Sequence, residues 1–263
     1  MKITHASVGL LMGLVLVGGQ AAQPSVGRAE WYAAGYGGIS VAGSISNVHM
    51  PNLGDRRAAA DFGSPPPNLQ LGEFLSNNFR SSDLFLKQSP MFGAKVGYFF
   101  NDSKLPWLGL ELEAFTTEPN INSQRFNTSL FISKCRSVII GTPCASPTSS
   151  TTNQTEIIGE ARLRVNTVAA NAIVRYRSGR FQPYAGLGLG LFHFSVSGSV
   201  EGSQLTAGLN ALAGMQWFLT ENVAFFGEYK YNRATVNFGD AFYGLNGDYA
   251  VTHLAVGFGF YFK

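Results

Sequence analysis

The chain has 263 residues, among them 31 Gly and 21 Phe, with 13% charged residues and a formal net charge of +3. So small a charge, with no Lys/Arg cluster, excludes a nucleic-acid interface built on phosphate neutralisation, and two cysteines exclude a disulfide-dense scaffold. The charged share is about half the usual one, and no continuous apolar run reaches the length of a membrane-spanning helix; the length suits one all-β domain, but a Gly-rich sandwich and a barrel share this composition.

The N-terminus carries an export pattern. Met1 to His5 is a short positive n-region, and Ala6 to Gly19 is an apolar h-region too short to span a bilayer. Small residues follow at Gly19 to Ala22 and again at Gly27 to Ala29, and either site suits a signal peptidase. Residues 1–29 are therefore read as a cleaved signal peptide, with cleavage after Ala22 or Ala29, and 30–263 as the mature domain.

Trp31 to Ser44 reads as the first strand, with aromatics and small residues on both parities, so its faces stay unassigned. From 45 to about 89 the pattern gives way to Pro-, Asn- and Ser-rich sequence, including Pro65, Pro66, Pro67 and Asn68, and predicts a long loop. Met91 to Phe100 sets Phe92, Ala94, Val96, Tyr98 and Phe100 against Gly93, Lys95 and Gly97, the two-residue period of a strand. After a short turn over Asn101 to Pro106, Trp107 to Thr117 opposes Leu108, Leu110, Leu112 and Ala114 to Gly109, Glu111 and Glu113. Residues 118–156 predict a second long, irregular loop, with Cys135, Cys144 and the low-complexity run Ser146 to Thr152.

Ile157 to Tyr176 is predicted as one long strand. Val168, Ala170, Ala172, Val174 and Tyr176 share a face; the charges of the upstream Glu160 to Val165 are read on the other parity, through a bulge or a rise above the membrane. A short turn over Arg177 to Phe181 leads into Pro183 to Ser197, where Ala185, Leu187, Leu189 and Leu191 oppose Tyr184, Gly186, Gly188 and Gly190. Leu205 to Phe218 and Val223 to Phe238 are the next two strands, joined by a tight turn at Thr220 to Asn222. In the closing strand, His253 to Lys263, Leu254, Val256, Phe258, Phe260 and Phe262 alternate strictly with His253, Ala255, Gly257, Gly259 and Tyr261.

These are about eight strands with their connections sorted by length: the second, fourth and sixth are short, while the long first and third share the opposite rim. A soluble sandwich has no reason for such sorting, whereas outer-membrane barrels combine short periplasmic turns with long external loops. The expected fold is an all-β, eight-stranded, antiparallel, up-and-down transmembrane β-barrel with its apolar parity toward lipid and both termini in the periplasm. With that strand pattern and the ending Gly257-x-x-Phe260-x-Phe262, the chain resembles the eight-stranded outer-membrane β-barrel superfamily of the OmpA membrane domain, OmpX, OmpW and the opacity-type adhesins. The resemblance implies an outer membrane of Gram-negative type, contact with its lipid and lipopolysaccharide, and Gly257, Phe260 and Phe262 as a signal to the barrel-assembly machinery. Lys263 departs from the family pattern, which finishes on the aromatic itself.

Several constellations invite chemistry. Lys95, Glu111, Glu113, Glu228 and Lys230 fall on the non-lipid parity, Lys95 roughly opposite Glu111 or Glu113; in a narrow lumen such charges must pair, either as a gate whose ion pairs rearrange or as a static plug. Cys135 and Cys144 lie in one predicted external loop of an exported chain and predict a disulfide; with no His nearby, no metal site is expected. His193, Ser195 and Glu201 superficially resemble the outer-membrane lipid A deacylases, but Val196 and Ser197 replace the expected continuation and Glu201 follows too soon, so no catalytic residue is assigned. Gly186, Gly188 and Gly190 lie inside a strand and read as a lumen face rather than a nucleotide loop. Trp107, Trp217, Tyr98, Tyr176, Phe218 and Tyr261 cluster at the periplasmic strand ends as an expected aromatic girdle. The expected role is non-enzymatic and without cofactor: a structural or surface-interaction barrel whose loops meet an external ligand. An OmpW-like conduit for small hydrophobic or ionic solutes is the alternative, and a lipid A-modifying esterase the remote one.

Overall fold

Strict alternation of apolar and small or polar residues can bury only one face of each strand, and closing the sheet on itself gives that face an interior while removing both edges. The computed structural model describes residues 30–53, 55–56, 73–100, 105–136, 148–177 and 179–262. The leader with Ala22 and Ala29, Pro65 to Asn68, Cys144 and Lys263 lie outside the described residues, as does the side chain of Cys135. In chain order the strands are β1 (Glu30–His49), β2 (Glu73–Ser81), β3 (Leu84–Phe85), β4 (Ser89–Phe99), β5 (Leu108–Thr117), β6 (Gln124–Arg136), β7 (Thr148–Ile158), β8 (Ala161–Arg175), β9 (Phe181–Gly198), β10 (Gly202–Phe218), β11 (Val223–Asn237) and β12 (Asn246–Phe262).

Eight of them close a barrel in the order β12-β11-β10-β9-β8-β5-β4-β1, with β1 pairing back onto β12 from Trp31↔Phe262 to His49↔Asn246. A bulge between Ser40 and Ala42 shifts the β1 register, and it accounts for the unreadable parity of that strand: Tyr32, Tyr36 and Ser40 point inward before the bulge and Ile45 after it. The outward face is an apolar band, with Phe92, Val96, Leu110, Leu112, Leu187, Leu189, Leu191, Val256 and Phe258 exposed. At one rim the connections β4–β5, β8–β9, β10–β11 are short; at the other the connections β1–β4 and β5–β8 are long.

The expected aromatic girdle needs correction. Trp107, Tyr176 and Trp217 are exposed at the short-turn rim together with Trp31 and Phe181. Tyr261, however, is buried in the lumen on the opposite parity, stacked 5.3 Å from Tyr32, and Phe218 packs 4.9 Å from Tyr261.

The two long connections also differ from the irregular loops expected at 45–89 and 118–156. They contain β2, β6 and β7, which pair with one another as a separate antiparallel sheet in the order β2-β6-β7. The long strand expected over Ile157 to Tyr176 is therefore two: β7 ends at Ile158 in this second sheet and β8 starts at Ala161 in the barrel. Alternation in β8 is unbroken, so Arg162 and Arg164 share the outward face of Val168; no bulge separates them, and the strand continues past the apolar band.

The lumen has two zones. Toward the long-loop rim it is an apolar core that includes Ile45, Met50, Leu163, Phe192, Phe194, Phe238 and Tyr249. Asp240 accepts hydrogen bonds from the backbone N–H groups of Phe242, Tyr243 and Gly244, while Asn52 Nδ2 donates to the Asp240 carbonyl at 2.7 Å, so the turn after β11 and the turn after β1 close over that core together. Toward the short-turn rim the interior interleaves buried charged and polar side chains with a second apolar cluster that includes Met91, Phe99, Phe115, Ile173, Leu212 and Phe226.

Candidate functional site

The polar zone is built around a chain of alternating charges. In register, Lys95 faces Glu113 and Gly97 faces Glu111 across β4–β5. The side chains pair otherwise: Lys95 Nζ lies 3.2 Å from Glu111 and 2.5 Å from Glu228 across the lumen, and Lys230 contacts Glu228 at 2.6 Å and bonds Glu113. The sequence Glu111–Lys95–Glu228–Lys230–Glu113 thus runs minus, plus, minus, plus, minus, all of it buried. Three carboxylates against two ammoniums leave one negative charge in excess.

Neutral donors meet that excess, which a buried site requires. Tyr32 donates to Glu111 at 2.5 Å, Tyr36 donates to Glu113, and Tyr184 donates to Glu228 at 2.7 Å. Asn171 Nδ2 donates to Glu111 at 3.0 Å and Asn210 Nδ2 to Glu113 at 3.3 Å. The tyrosines reach these carboxylates over glycines. Tyr32 faces Gly97 and Tyr36 faces Gly93 on β4, and a Cβ at either glycine would collide with the tyrosine ring. A bare middle strand thus lets a ring from β1 cross to β5. The Lys95 ammonium also lies 4.7 Å from the Phe226 ring centroid, within cation–π range.

Two further layers flank the charges. On the apolar-core side, Ser40 joins Thr117 (2.7 Å) and His253 Nδ1 (2.9 Å), and Thr117 meets Ser89 at 2.9 Å. At the short-turn rim, Glu30 accepts from Arg175 (2.6 Å) and Arg177 (2.8 Å), and the Arg175 guanidinium stacks 3.6 Å from the Phe99 ring centroid. Between this plug and the charge chain the residual cavity is about 10 Å³, room for about one water molecule. Sequence reasoning missed Glu30 and Arg175. The parity of β8 carries a signal for the second, because Arg175 lies in phase with Thr167, Ala169 and Asn171, opposite the lipid-facing Val174.

The other expected sites fare differently. His193 and Ser195 are both exposed on the outside of β9, and His193 Nε2 meets Ser203 of β10 at 3.2 Å, not Ser195. Among the described residues no hydrogen bond joins Glu201 to either of them. The Cys135–Cys144 pair falls outside the described side chains. Among the described residues no group of His, Cys, Asp and Glu could hold a metal ion. On the second sheet, by contrast, lies an open groove of about 520 Å³ that sequence reading did not anticipate, lined by Ser82, Asn127, Ser129, Asn153, Gln154 and Thr155 among others. Among the described residues every lining side chain is polar and uncharged.

An apolar outer band, a closed ring of eight antiparallel strands and a paired-charge lumen define a transmembrane β-barrel. The chain belongs to the family of the outer membrane protein beta-barrel domain, whose model matches residues 11–262. No curated protein matches it in sequence. Among solved structures it is similar to Neisserial surface protein A (14% identity, 89% of this chain and 99% of that one, TM-score 0.46). It is likewise similar to OprG from Pseudomonas aeruginosa (16%, 89% and 96%, TM-score 0.42) and to the attachment invasion locus protein Ail of Yersinia pestis (15%, 89% and 98%, TM-score 0.38).

Proposed function

We propose that this outer-membrane barrel is a non-enzymatic surface-interaction protein: the barrel anchors, and the second sheet of β2, β6 and β7 meets the exterior. The observation that carries this reading is the contrast between the two parts. Among the described residues the lumen is filled in series by the Arg175–Glu30 plug, the charge chain and the apolar core, a filling that opposes a continuous aqueous path for a solute. The long connections build an ordered sheet with a neutral polar groove. In this reading the long-loop rim faces outward and both termini face the periplasm, and residues 1–29 are the export leader. Gly257, Phe260 and Phe262 serve as the assembly signal, and the five lumen charges are a static plug that fixes strand register. The groove supplies hydroxyl and carboxamide groups and no net charge, which suits a neutral polar ligand rather than an ion.

Single-channel recording of the refolded chain in a planar bilayer, wild type beside Glu111→Gln/Glu113→Gln, tests the plug. Silence from both is expected. Discrete openings altered by those substitutions would establish a gated conduit instead. Orientation is read separately, by antibody detection on intact cells of an epitope inserted after Ser129, expected to be accessible.

A further inference from the structure

The two strands that build most of the polar groove carry the same short pattern. β6 reads Asn127-Thr128-Ser129 and β7 reads Asn153-Gln154-Thr155, each a carboxamide followed two places on by a hydroxyl. Antiparallel pairing sets Asn127 opposite Thr155 and Ser129 opposite Asn153. Because successive side chains alternate between faces, these residues share one face as a quartet, with carboxamides on one diagonal and hydroxyls on the other. The quartet measures about 5 Å across the strands and about 7 Å along them. It is also held in place. Thr155 Oγ1 donates to Asn127 Oδ1 at 3.2 Å, while Ser82 donates its N–H to the Asn127 carbonyl at 3.0 Å and accepts the Asn127 N–H on Oγ at 3.3 Å. Asn127 Nδ2 has no hydrogen bond among the described residues, and Asn127, Asn153 and Thr155 are exposed. The whole quartet lines the groove of about 520 Å³, whereas Arg125, the next residue of this face toward the barrel, does not.

We propose that the quartet binds a neutral pyranose unit of an external saccharide. A carboxamide offers a donor and an acceptor side by side, and a hydroxyl offers both on one atom, so the quartet pairs with adjacent sugar hydroxyls in either sense. Asn127, its oxygen engaged by Thr155, presents its Nδ2 donors, and Asn153 meets the sugar from the opposite corner. No charged side chain stands among the described lining residues, so a sulfate or carboxylate would lose hydration there without gaining a counter-charge. A neutral sugar exchanges water for hydroxyl and carboxamide partners of the same strength. Each such bond contributes little alone, so firm attachment comes from many barrels engaging a repeating saccharide at once. The proposal rests on the reading that the second sheet meets the exterior, and adds to it the ligand class and the residues that select it.

The test is a saturation-transfer NMR titration of the full mature chain in phosphatidylcholine nanodiscs. Free lacto-N-tetraose and maltotetraose serve as neutral probes, and sialylated and sulfated lacto-N-tetraose as anionic ones. Wild type is expected to bind a neutral probe, and neither anionic probe more tightly. Asn127→Ala and Asn153→Ala are each expected to weaken binding about threefold to tenfold, the double variant to abolish it, and Arg125→Gln to change nothing. Heat-dependent gel mobility verifies that each variant is folded. Silence from both neutral probes overturns the proposal, as does equal binding by wild type and Asn127→Ala/Asn153→Ala. Tighter binding of an anionic probe also overturns it, and loss of that binding in Arg125→Gln would move the site to the arginine. Probes reach both sides of a nanodisc, so the result is independent of orientation; an inward-facing Ser129 epitope would overturn the exterior reading and leave the saccharide site standing.

Discussion

Lys95 touches two carboxylates from strands that are not neighbours in the barrel, Glu111 of β5 and Glu228 of β11. Removing one partner of such a group leaves buried charge uncompensated, which costs about 3–5 kcal/mol, whereas neutral replacement of the whole group costs far less. Lys95→Met is accordingly expected to destabilise the barrel by about that amount in urea unfolding from lipid vesicles, and adding Glu111→Gln and Glu228→Gln is expected to restore part of it. A null effect of Lys95→Met would mean the chain is hydrated rather than buried. Outside the apolar band, Asp248 behaves differently. Its carboxyl is held below the usual carboxylate range by the hydrogen bond from Asn47 (2.9 Å), aided by Arg233 and Thr235. The unfolded chain therefore takes up this proton at higher pH than the folded one does. The stabilisation is complete above the ordinary value of 3.8 and lost as pH falls through the lower folded value. Unfolding of Asp248→Asn compared with wild type at pH 6 and pH 3 should show a smaller acid loss in the variant.

At the scale of elements, the second sheet is expected to be dispensable for the barrel. Phe126 and Ile158 pack into the apolar core, whereas the described residues between them pair with one another along β6 and β7. Replacing 128–154 by Asn-Gly keeps both anchors and supplies a turn that matches strand twist; folded gel mobility and urea stability near wild type are the expected outcome, and failure to insert would show that the sheet takes part in assembly. This sheet is also where the sequence was least legible. Its strands are rich in Ser, Thr and Asn, and Thr151, Asn153, Gln154 and Thr155 are all exposed, so no apolar alternation marks them. Ile157 and Ile158 then continue smoothly into the pattern of β8, which hides the boundary at Gly159 and Glu160. The barrel strands were legible because lipid and lumen impose opposite demands on successive residues. The lumen charges were legible by parity, but their partners were not: Lys95–Glu228 depends on which strands face each other across the closed ring, and Tyr32 and Tyr36 became reachable only through Gly97 and Gly93 opposite them.

For the molecule as a whole, the zones of the lumen act as resistances in series, so opening one does not open the path. Phe192 and Phe194 lie buried in the apolar core, their rings 6.2 Å apart, with Phe194 also 5.0 Å from Tyr249. Truncating Phe194 to Ala should cost about 3–5 kcal/mol through lost burial and the cavity left behind. It should not create conductance, because the charge chain and the Arg175–Glu30 plug still close the other half. Conversely, Glu30→Gln/Arg175→Met loosens the short-turn rim while the apolar core stays dry, and an apolar constriction blocks ions by excluding water. Only the combination with Phe192→Ala/Phe194→Ala and a neutralised charge chain is expected to yield ion flux. The planar-bilayer series therefore has a definite pattern: silent singles, silent pairs, and conductance confined to variants altered in the plug, the charge chain and the apolar core together. Current through Phe194→Ala alone would show that the polar half already conducts and that the apolar core is the sole gate.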